Sequence, residues 1–190
     1  MRPKPIKFSC SRLRAPASER STQGGFSLPE VLTAIVLGAL ILGVTSIAFA
    51  AFLKRAWANQ IVVQAESMGS RMAASITTAM KTSSAWSIYP DKASYLADPL
   101  NNVSSQGNAL VCQTKTASGQ PIVVLFAYEG GQLTRAEASA ANRTNSISNV
   151  SPISGSVFNQ NLGLVSGGFA IQTPLERLTF YAYGTSLHMR

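Results

Sequence analysis

The sequence is short of charge, histidine and cysteine, and each shortage removes a class of function. Charged residues make up 13% of the 190 residues against 46% hydrophobic ones, so the surface must rely on Ser, Thr, Asn and Gln. That profile suits an exported or cell-surface protein better than a cytosolic enzyme. The only histidine, His188, stands near the C-terminus with no cysteine or carboxylate beside it and reads as a solvated tail residue. The two cysteines are Cys10 and Cys112. If the segment carrying Cys10 is removed, Cys112 is unpaired and no intrachain disulfide forms. Cys112 itself, in "LVCQT", reads as a small buried strand residue, because nothing near it in sequence would lower its thiol pKa. No G-x-S-x-G, zinc-ligand spacing or phosphate-cradling glycine pattern occurs. Neither an enzyme nor a resident cofactor is expected. Asp91, Asp98, Asn101 and Asn102 share one stretch and offer oxygens to calcium, but they lack the dense carboxylates such a site wants. No metal site is assigned.

The positive charge that is present sits mostly at one end. The formal net charge is +8, which taken alone suggests nucleic acid. Residues 1–25 hold Arg2, Lys4, Lys7, Arg12, Arg14 and Arg20 against Glu19, a surplus of five that leaves three for the rest. Cations ahead of an apolar segment keep that end in the cytoplasm. Nucleic-acid binding by the remainder is therefore not expected.

Residues 1–25 contain prolines, end in Gly24-Gly25 and show neither helical nor strand period, so they read as a leader. Residues 31–53 carry no charge and are closed by Lys54-Arg55. At about 1.5 Å per residue this run is roughly 35 Å of helix, enough to cross a bilayer core. No proline stands between Pro29 and Pro90, so the helix is free to continue. Over residues 54–86, Trp57, Ile61, Ala65, Met68, Met72, Ile76 and Met80 recur every three or four positions, the stripe of an amphipathic helix expected to face the protein's own sheet. Beyond Pro90 the pattern changes to strands: 109–115, a hairpin over 121–137 turning at Glu129-Gly130-Gly131, then 168–174 and 176–187. Residues 138–168, rich in Ser, Asn and Gly, read as a long loop, and the glycines of "GLVSGG" as turn formers. The expected fold is α+β: a leader over 1–25, a membrane helix over 26–53, an amphipathic helix over 54–89 and a small antiparallel β head over 90–190.

Glu30 and Pro29 stand at the start of the apolar run, where a plain membrane span would gain nothing from either. An ionised carboxylate costs up to about 2.5–3.5 kcal/mol at mid-bilayer on insertion scales, less near an interface. No Lys, Arg or His follows Glu30 until Lys54, so its cation must come from outside the span. A cut between Gly25 and Phe26 would supply one. The new α-amine would lie one helical turn before Glu30, and the carboxylate of one subunit would pair with the amine of the next. An unpaired charge would penalise every other register. After that cut Pro29 falls among the first helical positions, whose N–H groups have no acceptor. Before it, the same proline keeps Leu28 extended, as a protease requires, and Gly25 removes side-chain bulk at the scissile bond.

These residues, "GFSLPEVLTAIVLGALIL", resemble the class III signal of type IV pilins and type II secretion pseudopilins: a basic leader ending in Gly, then Phe, Glu and about 20 apolar residues. The resemblance implies cleavage after Gly25 by a prepilin peptidase/methyltransferase, N-methylation of Phe26 and an assembly role for Glu30. It also implies an inner-membrane platform protein, an assembly ATPase and other pilin or pseudopilin subunits as partners. The place of action would be the cytoplasmic membrane, crossed once with the N-terminus inside, and then a periplasmic or surface filament. Pro29 stands where the family usually has an aliphatic residue, the leader is longer than many, and no C-terminal disulfide can form. The last point favours a pseudopilin or minor pilin over a robust major pilin. Within the run, Ala34/Gly38 and Ala39/Gly43 are small-residue pairs that permit close helix approach. Gly38, Gly43 and Thr45-Ser46 are also where the helix is expected to loosen in a filament. A competing reading cuts after Ala48-Phe49-Ala50 as an ordinary secretory signal, leaving a soluble periplasmic or surface binding domain. The apolar region exceeds the usual length of about 7–15 residues for that. An uncleaved single-span anchor leaves Glu30 without a purpose.

Overall fold

The computed structural model describes residues 26–116, 118–138 and 143–185. Gly25, Cys10 and His188 lie outside them. Helix α1 runs Leu28–Thr82 and is followed by β1 (Ala85–Tyr89), the short helix α2 (Lys92–Ala97), β2 (Gln106–Gly107), β3 (Ala109–Lys115) and β4 (Pro121–Glu129). Then come β5 (Gln132–Ala138), β6 (Thr144–Ile147), β7 (Val150–Pro152), β8 (Phe158–Asn161), β9 (Leu164–Gln172) and β10 (Arg177–Thr185). The class is α+β, a long N-terminal helix followed by antiparallel sheets. The chain divides into two compact units, which meet at Ala48 and Phe49.

In the first unit α1 is the described element. It is long and apolar enough to cross a membrane, and none of its most apolar stretch is buried. Hydroxyls within it bond back to the helix itself. Thr33 Oγ1 donates to the carbonyls of Pro29 and Glu30, Thr45 Oγ1 to that of Ile41 at 2.8 Å, and Ser46 Oγ to that of Leu42 at 2.7 Å. Such back-bonding lets a hydroxyl sit in apolar surroundings without an outside partner. The helix is continuous through Gly38, Gly43 and Thr45-Ser46 in this chain.

In the second unit the C-terminal part of α1 lies on two five-stranded antiparallel sheets, where a single small sheet was expected. One has the order β1-β3-β4-β5-β6; the other runs β10-β9-β8-β2, with β7 also on β9. β10 covers one edge of β9 along its whole length, and β8 and β7 share the other edge. Met72, Ile76 and Met80 of α1 are buried with Leu110, Phe126 and Phe169 in one core. The proposed stripe is thus only half an interior face: Met72, Ile76 and Met80 are buried and Ala65 packs at the margin, whereas Trp57 is 69% and Met68 53% exposed. A second cluster lies on the other face of the first sheet. There Tyr89, Ala109, Val111 and Ala127 meet Tyr95 of α2, and the Tyr89 hydroxyl donates to the Pro99 carbonyl at 2.7 Å.

Four further expectations need correction. Leu28, expected to be held extended by Pro29 while residues 1–25 are attached, is already the first residue of α1, a position at which the helix overrides the proline's preference. The helix does not reach residue 89. Ser83 Oγ donates to the Met80 carbonyl, Ser84 N–H turns to the Gln113 carbonyl at 2.8 Å, and residues 85–89 pair with β3. Pairing with a neighbouring strand wins over continued helix, without a proline to stop it. Residues 138–168 are not one loop, for they contain β6, β7 and β8. Their strands are short and largely polar, and few positions point inward, chiefly Ile147, Val150 and Phe158, so little alternation is visible in sequence. Of the "GLVSGG" glycines only Gly163, at φ 82°, forms the turn it was expected to form. Gly167 and Gly168 lie inside β9, where an added Cβ at Gly167 would stand 3.3 Å from the Phe158 ring. The 121–137 hairpin is as expected: Gly130 and Gly131 take φ of 55° and 80°, the positive values that a two-residue turn of this twist requires.

Helix and second sheet interlock through two glycines. Gly69 of α1 leaves room for the Phe180 ring, and Gly184 of β10 leaves room for the Met80 side chain. A Cβ at Gly184 would collide with the Met80 Cβ, which cannot swing aside as a chain end does. Gly184→Ala is therefore expected to cost about 1–3 kcal/mol through overpacking. Ser70→Ala, an exposed helix position, is expected to stay within about 0.5 kcal/mol of the parent. Chemical denaturation followed by tryptophan fluorescence measures both; a Gly184→Ala chain as stable as the parent would contradict the interlock.

Candidate functional site

The start of α1 is built by four consecutive residues, Ser27-Leu28-Pro29-Glu30. The Ser27 carbonyl accepts from the N–H groups of Glu30 and Val31 at 3.0 and 3.2 Å, which makes Ser27 the residue that caps the helix. Glu30 reaches back: its Oε2 accepts from the Ser27 backbone N–H and from the Ser27 Oγ, both at 3.1 Å. The glutamate closing on the N–H of a serine three positions earlier is the glutamate half of a capping box; the Ser27 hydroxyl donates to the same carboxylate, and the Glu30 N–H goes to the Ser27 carbonyl. Helix N-termini also favour a negative charge, since their N–H dipoles are uncompensated. Pro29, second in the helix, has no N–H at a position that would have no acceptor for one. Phe26 lies just outside, 84% exposed, and together with Glu30, Val31, Ala34 and Ile35 it lines a wide, open recess.

Glu30, expected from the sequence to be partnered only from outside its span, has a nearer partner in Ser27. The signal was present as S-x-x-E directly ahead of an apolar run. The capping box changes the state from which Glu30 acts. In the single chain the carboxylate is already held by one oxygen, and its orientation is set by its own residue Ser27. Among the described residues Glu30 makes no ion pair; the only one there is Arg135 with Glu137.

The other candidate groups are occupied locally. Asp91 caps α2, its Oδ1 accepting from the Ser94 N–H at 2.7 Å, and that backbone bond holds its carboxyl below the usual value. Asp98 accepts from the Asn101 side-chain amide at 2.7 Å and from the N–H groups of Leu100 and Asn101. These bonds, the Asn101 side chain first, lower its pKa as well. Asn102 donates to the Ser94 carbonyl. The Asp91 and Asp98 carboxylates thus serve a cap and a turn, and no group of three His, Cys, Asp or Glu suited to a metal occurs among the described residues. Cys112 is buried, and burial pushes its thiol up to about 12, so it carries almost no thiolate at neutral pH.

Residues 20–46 match the family described as "Prokaryotic N-terminal methylation motif", the class III signal sequence of type IV pilin-like proteins. The matched span takes in Gly25, Phe26, the capping box and the first half of the apolar run. No curated protein and no solved structure matches the chain. The motif indicates a type IV pilin-like or pseudopilin precursor and suggests a structural subunit. It implies processing by a prepilin peptidase and assembly with other pilin subunits. The apolar helix is of the kind that anchors such proteins in a membrane by a single pass.

The capping box is testable apart from any assembly. Ser27→Ala removes the hydroxyl that donates to Glu30, and should weaken the helix start by about 1 kcal/mol, the scale of one hydrogen bond. Amide hydrogen exchange in detergent micelles reads this as roughly fivefold faster exchange over the first turn of α1. Unchanged exchange there would contradict the capping geometry.

Proposed function

We propose that the chain is a minor pilin or pseudopilin, cut after Gly25, methylated on Phe26 and built into a pilus or pseudopilus through α1. The observation that carries this reading is Glu30: one carboxylate at the first turn of a helix whose next charge is Lys54, within the matched methylation motif. Peptide-bond hydrolysis after Gly25 would create an α-amine on Phe26, and methylation would leave that amine cationic. A carboxylate accepts several hydrogen bonds. Ser27 occupies one oxygen in the single chain, which leaves capacity for the amine of a neighbouring subunit. The capping box then does for Glu30 what a positioning residue does for any acid: it fixes the rotamer before the partner arrives, so less side-chain freedom is lost on docking.

In this account residues 1–25 are the cytoplasmic leader, residues 26–53 the membrane and filament-core helix, and the remainder of α1 the mount for the β head. An inner-membrane platform protein and an assembly ATPase would move the subunit from membrane to filament. Docking is driven by two terms of different kind. Apolar contact between helices supplies attraction that is indifferent to axial register, and the Glu30–amine pair makes one register much better than its neighbours. Missing that register by a helical turn would leave a charge unpaired in apolar surroundings, a cost of several kcal/mol at the upper end of insertion scales.

Glu30→Ala is expected to be processed to mature size yet to fail to enter filaments. Fractionation of sheared filaments from cells that carry the variant, with immunoblotting for the mature chain, measures it. Incorporation at the parent level would refute the ion-pair role of Glu30.

A further inference from the structure

An open cleft of about 320 Å³ lies in the second unit between α1 and the β5–β6 margin of the first sheet. Arg71 and Ser75 line it from α1, Arg135 from β5, and Asn145 and Ser146 from β6. Its position in the fold is unusual for charge. Arg135 stands directly opposite the fully buried Phe126, and Glu137 opposite the buried Val124. Directly opposed residues in an antiparallel pair share a face, so both charges are on the side of the sheet that carries the core. Placing a guanidinium there is costly unless its hydrogen bonds are met. They are only partly met. One nitrogen of Arg135 lies 3.1 Å from Glu137 Oε2, while its Nε is buried without a partner. Across the cleft, Arg71 has no carboxylate partner among the described residues. Two guanidinium groups line the walls and a single carboxylate stands beside them, so the cleft has positive charge to spare.

From this juxtaposition we propose that the cleft binds a small oxyanion, a carboxylate or a phosphate, between the guanidinium groups of Arg71 and Arg135. Planar guanidinium groups present paired N–H donors that match either oxyanion. The Asn145 amide and the Ser75 and Ser146 hydroxyls supply further donors at the rim. A volume near 320 Å³ is at the small end of ligand sites and suits a short dicarboxylate, a phosphate ester or an acidic side chain of an adjoining polypeptide. The inference stands on the second unit alone and does not depend on how the first half of α1 assembles.

The test uses the full chain, isotopically labelled, in detergent micelles, titrated with glutarate and separately with inorganic phosphate at constant ionic strength. Saturable shifts of the Arg71 and Arg135 Nε–H signals are expected for at least one of them. Arg71→Gln should weaken that binding about tenfold, the scale of one lost charge-assisted hydrogen bond, and Arg71→Lys should restore part of it. Arg71 is exposed, so the variants retain the fold, and Lys115→Gln outside the cleft should bind as the parent does. Tighter glutarate binding would assign the site to carboxylates, and tighter phosphate binding to phosphates; either supports the proposal. Linear, unsaturable shifts with both probes, or equal affinity in Arg71→Gln, would overturn it.

Discussion

A length of helix that no other described residue covers is the constraint on which this protein turns. From Leu28 to Ile47 the large apolar side chains of α1 are exposed, and at about 25 cal/mol per Å² of apolar surface they are far more stable in lipid or against other helices than in water. Hydrophobic attraction alone is non-directional. It would gather such helices without fixing how they slide past one another. The sequence places a single carboxylate at the start of this surface, where a misplaced charge is costly and a paired one is not. In the function proposed above, register selection would be the physical reason for the acid, and the Ser27 contact would keep that acid ordered in the single subunit.

The same helix changes environment along its length. Past Ala65 its inward side is buried by the chain's own sheets, with small residues where the approach is closest: Gly69 beneath Phe180, and Ala73 and Ala79 beside the core. Between the exposed apolar run and this buried stripe lie Lys54 and Arg55, and Trp57 and Ile61 remain exposed. An aromatic ring beside cations just beyond an apolar span is the arrangement favoured at a membrane surface. One helix thus carries an apolar surface suited to lipid or partner helices and, further along, a stripe buried by its own sheets.

Much of this was legible in the sequence, and the exceptions have common causes. The uncharged run, the β3 strand and the Gly130-Gly131 hairpin were legible because each has a strong local signal: length without charge, alternation, or two glycines between strands. The end of α1 was not. Residues 85–89 suit a helix or a strand equally well, and only the partner strand β3 decides between them. The strands within 144–161 were missed because each buries too few residues to mark a period. The stripe through Trp57 and Ile61 misled for the opposite reason: its period is genuine, yet periodicity does not tell whether a core stands opposite. At the candidate site Glu30 and Pro29 were conspicuous from sequence, whereas Ser27 was overlooked, although a serine three residues before a glutamate is itself a signature. The Arg71–Arg135 cleft could not have been read at all, since sixty-four positions separate residues that only the fold brings together.

The central claim is that the functional chain begins at Phe26. Mass spectrometry of the N-terminal peptide from the membrane or filament fraction of cells that make the protein tests it directly. The account predicts a peptide that starts at Phe26 and carries one methyl group on its α-amine. A mature chain that starts at Ala51, or one that still retains residues 1–25, would contradict it.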